Sequence, residues 1–89
     1  MLIYIVLLEQ TRDAWQETTN SILVATKDRA KAEKVLAEKK KELLKTYEEK
    51  ARILDNIEVS SDYPGFFHIF NAFEDMNDEI SIIEQELED

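Results

Sequence analysis

The stretch from Thr26 to Leu54 constrains this chain most, because its apolar residues recur at a spacing that only a helix turns to one side. Ala32, Val35, Leu36, Leu43, Leu44, Tyr47, Ala51 and Leu54 form a single broad stripe at about 100° per residue. No Gly or Pro interrupts it. The Thr26 hydroxyl can cap the first turn as N-cap, and Asp28 suits the positive end of the helix dipole. Arg52 suits the negative end, and Asn56 can serve as the C-cap.

The same stretch divides the charge. It holds ten of the eleven Lys and Arg residues, and Lys27 to Leu54 is net +4. The remainder has Arg12 as its one base and is net −13, and Asp55 to Asp89 carries eleven acids with no Lys or Arg. An overall charge of −9 disfavours direct binding to nucleic acid or an anionic membrane, since both need positive charge. Lys39, Lys40, Lys41 and Lys45 form a candidate basic ridge for nucleic acid. Glu38 and Glu42 dilute its field, and such residues ordinarily make the solvated side of a helix.

Ahead of the helix, Leu2 to Leu8 is rich in β-branched and aromatic residues and apolar in both alternating sets, which predicts a central strand covered on both faces. In so short a chain, one of those covers would come from a second subunit. The run is too short to span a membrane and lacks the flanks of a signal peptide, so a soluble, cytoplasmic protein is expected. Glu9 to Thr19 is polar and reads as a loop. Within it Trp15 either folds back as a lid on the core edge or contacts a partner. Asn20 to Ala25 reads as a second strand, antiparallel to the first.

Behind the helix, Asn56 to Gly65 reads as a linker, with a short extended piece at Ile57 and Val59 and a turn at Pro64-Gly65. Phe66, Ile69, Phe70, Ala72, Phe73 and Met76 share one arc of a helical wheel. That spacing predicts a second helix over Phe66 to Asn77 with Pro64 in its first turn, a strand being the alternative. Ile80 to Leu87 reads as the last strand. The expected fold is therefore α+β and a single domain over residues 1–89, with a three-stranded sheet, the first strand central, and order ββααβ. A chain of 89 residues buries roughly 60–65% of its unfolded surface, so the core is thin.

Few parts for chemistry are present. The absence of Cys removes disulfides, thiolate nucleophiles and Cys-based metal sites. One His and one Gly leave neither a His-rich metal site nor a phosphate-cradling loop. Ser60, Ser61 and Ser81 lack a nucleophile elbow. His68 reads as a surface or interface residue. Glu84 and Glu86 share a strand face without an apolar cleft to raise a pKa. Glu74 to Glu79 looks like a calcium loop but lacks the central Gly and the bidentate Glu. No catalytic residue, metal or cofactor is expected.

The acidic segment carries the functional expectation. Glu74, Asp75, Asp78, Glu79, Glu84 and Glu86, with Trp15, are the candidate partner-binding residues, and the partner would be a protein with a basic surface. Carboxylates arrayed on one face can occupy a site shaped for phosphates and so act as a DNA mimic. The plainer reading is a solubilising surface. Ile3-Tyr-Ile-Val6, Thr26-Lys-Asp-Arg-Ala-Lys-Ala-Glu33 and Ile83-Glu-Gln-Glu-Leu-Glu-Asp89 resemble a loose group of small strand-strand-helix-strand proteins, many of them encoded by phages. The segment Asn56 to Glu79 departs from their pattern. The resemblance implies the fold and a phage or mobile-element origin and transfers no functional residue. Taken together, these observations point to a non-enzymatic phage inhibitor of a host nucleic-acid-handling defence protein, of the anti-CRISPR or anti-restriction type. The alternatives are a homodimeric accessory protein joined through its first strand, and a small nucleic-acid-binding regulator using the Lys39–Lys45 ridge.

Overall fold

A computed structural model of the chain describes residues 1–12, 17–50, 57–71 and 76–87. Along the sequence it has β1 (Leu2–Arg12), β2 (Glu17–Thr26), α1 (Arg29–Lys50), β3 (Ile57–Tyr63), β4 (Phe66–Asn71) and β5 (Met76–Glu86). The strands form one antiparallel sheet in the order β2-β1-β5-β4-β3. The α1 helix leaves one edge strand and leads to the other, so it crosses a single face of the sheet. The molecule is 17 Å across its thinnest dimension, which is room for two layers.

The architecture corrects the expected three-stranded ββααβ arrangement. Residues 66–77 are not a helix: Phe66–Asn71 is β4, and β5 begins at Met76. Their apolar spacing fits a helical arc only because β4 is apolar on both faces. Phe67 and Ile69 turn to α1, while Phe66 and Phe70 turn to the opposite face, so strict alternation is absent. Phe and Ile also fit a pleated surface well. Pro64-Gly65 supplies the turn of the β3–β4 hairpin, and Ile82 N–H donates to the Gly65 carbonyl at 2.9 Å. The expected linker is therefore an edge strand.

Two of three smaller corrections share one cause, which is that polar residues occupy strand positions. The expected loop at Glu9 to Thr19 is mostly strand, with Gln10 opposite Thr19 and Thr11 opposite Thr18. Thr is a good strand former, so polarity there did not mean irregularity. The last strand starts four residues before Ile80, because Asp78 is buried in a polar cluster described below. The first strand is interior but not central, since β5 occupies the middle position. Its Leu2–Leu8 run faces α1 on one side and the open face of the sheet on the other.

The helix starts at Arg29, and its N-cap is Asp28 in place of Thr26. Asp28 Oδ1 accepts from Ala30 N–H at 2.9 Å, while Thr26 Oγ1 accepts from Asp28 N–H in the turn before. Ala32, Leu36, Leu43 and Tyr47 are buried against Val6, Leu8, Phe67, Ile69 and Ile80 of the sheet. Midway along this stripe stand Lys39 and Lys40. The Lys40 stem lies against the sheet, its Nζ 5.6 Å from the Phe67 ring centre and 2.6 Å from Asp62 Oδ1. Lys39 pairs with Glu42 at 3.3 Å. The basic ridge is thereby divided, with Lys41 and Lys45 as its exposed members. Among the described residues no helix is long and apolar enough to cross a membrane.

Candidate protein-binding face

Two polar features stand out, one on each face of the sheet. Under the helix, Asp78 is wholly buried and accepts at Oδ2 from the Tyr47 hydroxyl at 2.6 Å and from Arg12 Nη2 at 3.1 Å. Arg12 Nη1 also donates to the Thr11 carbonyl. Asp78 Oδ1 is buried without a hydrogen-bond partner, which costs about 1–3 kcal/mol for such a group. The cluster ties β1, β5 and α1 together, and it takes Asp78 out of any surface role.

Burial, reinforced by the neighbouring Asp78 carboxylate, pushes the Tyr47 phenol well above its usual pKa. A phenol whose folded pKa is raised stabilises the fold fully below the unfolded value of about 10, and that contribution is lost as pH climbs toward the folded value. Stability should therefore fall above about pH 10, with up to about 1.4 kcal/mol per pH unit from this one group. Urea titrations at pH 9, 10 and 11 on the wild type and Tyr47→Phe should show a steeper fall in the wild type. Parallel slopes would remove Tyr47 as the cause.

The helix-free face is built in rows across the strands. One row reads Ile22, Leu7, Ser81, Phe66 and Tyr63, and the next toward the β3–β4 turn reads Ala25, Ile5 and Ile83. Ile22 is 67% exposed, Tyr63 65% and Ile83 41%, while Ile5, Leu7 and Phe66 are half-buried among their neighbours. On the other side lies a polar row of Asn20, Glu9, Glu79, His68 and Ser61. Glu9 and Glu79 stand directly opposite each other, a like-charge placement that destabilises a sheet. No described strand residue on this face is Lys or Arg, and neither carboxylate has an ion pair among the described residues.

His68, opposite Glu79, forms no ion pair with either carboxylate among the described residues, because both its ring nitrogens are engaged elsewhere. Nε2 lies 2.6 Å from Asn77 Oδ1, an acceptor, so Nε2 carries the hydrogen and Nδ1 accepts from the Ser60 hydroxyl. Ser60 is the extra residue of a bulge in β3, between Val59 opposite Ile69 and Ser61 opposite His68. The imidazole also stacks on Phe70, with ring centres 5.6 Å apart. Nucleophile, base and orienting amide are thus in sequence, but they lie on an open sheet surface with Ser60 exposed. Among the described residues nothing there excludes water or builds the paired donors that acyl transfer needs. The chain of hydrogen bonds fastens β3, β4 and β5.

The acids expected to form one face are dispersed. Asp78 is inside, and Glu79 lies on the helix-free face. Glu84 pairs with Arg29 Nη1 at 2.6 Å beside the helix N-terminus, and Glu86 pairs with the Met1 ammonium at 3.0 Å. Glu74, Asp75 and Trp15 lie outside the described residues. Glu9 was missed because a lone acid after an apolar run reads as a strand end. Its role depends on a pairing with residue 79 that sequence spacing does not reveal. Among the described residues no group of three or more His, Asp or Glu is placed to hold a metal ion. Comparison of the chain with protein-family models, curated proteins and solved structures finds no match.

Proposed function

We propose that the chain is a non-enzymatic protein-binding domain, and that its helix-free sheet face docks a partner bringing an apolar surface with a basic side chain beside it. The observation that carries this reading is the apolar rows at Leu7 and Ile5 bordered by two opposed, unneutralised carboxylates at Glu9 and Glu79. A contiguous apolar patch with a polar rim is the usual make-up of an interaction site. A Lys or Arg placed between the two carboxylates would relieve their repulsion only in the complex, which gives the face a preference for basic partners.

The narrower reading is a phage-encoded inhibitor of a nucleic-acid-handling defence protein. It rests on the net charge of −9 and on the sequence resemblance, and it requires a partner whose basic groove also takes DNA.

The test is affinity capture by the wild type, by Ile83→Glu, and by Glu9→Lys with Glu79→Lys, each at low and high salt. The expected result is a protein retained by the wild type at low salt, weakened at least tenfold by either face variant, and kept by Lys41→Glu on the far side of the helix. If the same proteins are retained by all variants, this face is not the binding site. Competition of the captured protein by duplex DNA would support the inhibitor reading, and indifference to DNA would remove it.

A further inference from the structure

His68 is the one histidine of the chain, and it stands inside the polar row that borders the apolar rows of the helix-free face. Its cross-strand partner is Glu79, and Glu9 lies beyond Glu79 on β1. On the β3 side the row continues with Ser61, while Glu58 stands opposite Phe70, the ring on which the imidazole stacks. Tyr63, one row nearer the β3–β4 turn, is the other titratable group of β3 on this face. Helix α1 covers the opposite face, so none of its lysines shares the row. Among the described residues the charged groups around His68 are therefore three carboxylates, with no Lys or Arg.

The hydrogen bonds of the ring suit either charge state. With the ring neutral, Nε2–H donates to Asn77 Oδ1 and the Ser60 hydroxyl donates to Nδ1. When Nδ1 takes a proton, Asn77 remains an acceptor and the Ser60 hydroxyl reverses to accept, since a hydroxyl does either. Protonation therefore breaks no bond of the cluster, and the stack on Phe70 keeps the ring in place. The new charge arises at a fixed position beside Glu79, where docking would bring the partner's cation.

We infer, on the docking reading above, that His68 is a proton switch for this face, which holds a basic partner while the imidazole is neutral and releases it once the ring is charged. The sign follows from like charge. An imidazolium compensates Glu79 from within the molecule and repels a Lys or Arg brought to the same carboxylate. Histidine is the side chain whose charge ordinarily changes between pH 5 and 8, a range in which carboxylates ordinarily stay ionised. An α-amino group ordinarily titrates near the top of that range as well. Here it lies at the far end of β1, about 25 Å from Glu9 at roughly 3.3 Å per residue, beyond the screening length of about 8 Å.

The probe is an acetylated, amidated peptide of three Leu-Leu-Arg-Arg repeats. Each side of it alternates Leu and Arg when extended, and its arginines keep their charge throughout. Calorimetry on the wild type should give weaker binding at pH 5.5 than at pH 7.5, by at least about fivefold and at most about 100-fold for one linked proton. His68→Gln, neutral at both values, should bind at both as the wild type does at pH 7.5, and His68→Lys should bind weakly at both. The wild-type comparison needs no variant and so stands whatever their folding. Equal wild-type affinity at the two pH values overturns the inference, and so does an equal loss in His68→Gln. If either outcome comes with loss of the peptide in Glu9→Lys with Glu79→Lys, docking survives without the switch. A peptide bound as tightly by that double variant as by the wild type, or not bound by the wild type at pH 7.5, overturns both.

Discussion

Replacing Asp78 by Ala is expected to destabilise the fold by about 3 kcal/mol, seen as a drop in the urea midpoint at pH 7 with the slope unchanged. Among the described residues the carboxylate is the one side-chain acceptor for the Arg12 guanidinium, beside the Thr11 carbonyl, and it is the near partner of the Tyr47 hydroxyl. Removing it leaves a buried phenol and a cation whose attraction to the sheet is gone. Breaking a buried pair by deleting one member typically costs about 3–5 kcal/mol. The lower end applies here because Arg12 retains 30% of its exposure and can turn toward water. Asp78→Asn keeps an acceptor for Tyr47 and should cost less. A double-mutant cycle between Asp78→Ala and Tyr47→Phe should give a coupling of about 1–3 kcal/mol. Additivity of the two changes would mean that the 2.6 Å contact contributes nothing of its own.

Phe67→Ala should be at least as damaging, at about 3–5 kcal/mol. The ring is fully buried, packed opposite Ile80 on β5 and beneath α1, and it also carries the Lys40 ammonium above one side. Deleting it opens a cavity where the helix crosses the sheet. Total stability in domains of this kind is about 5–15 kcal/mol, so the variant would lose roughly a third or more of it. Phe67→Leu, which preserves most of the volume, should cost about 1–2 kcal/mol by the same reasoning. A thermal melt of Phe67→Ala within a few degrees of the wild type would mean that the centre of the core lies elsewhere.

Legibility in the sequence followed burial chemistry. The helix was readable because its buried side is apolar and its outer side charged, so one period dominates. The first two strands were found, though cut short, because Gln10, Thr11, Thr18 and Thr19 pair across a hairpin without apolar alternation. The β3–β4–β5 meander was misread because β4 is apolar on both faces and β5 carries a buried acid, two departures from a half-buried strand. A signal was present: Tyr63-Pro-Gly-Phe66 places a two-residue turn between strand formers, which is hairpin chemistry. The acidic count was correct and its geometry was not, since carboxylates close in sequence alternate between the faces of a strand. Asp78 and Glu79, adjacent in the chain, lie on opposite sides of the sheet.

The seam between β1 and β5 has a bearing on how the molecule assembles. Arg12 and Asp78 are 66 residues apart, whereas Thr11 and Thr18, which meet across the β1–β2 hairpin, are seven apart. Closing the longer loop costs about 2 kcal/mol more in chain entropy. The hairpin and the β3–β4–β5 meander can each form locally, and the ladder joining them brings together the two ends of the chain. Contacts so distant in sequence slow folding, toward the millisecond-to-second range of β-rich domains. Until that seam closes, β1 and β5 are both open strand edges, and like charge on the carboxylates flanking them disfavours contact between incomplete chains.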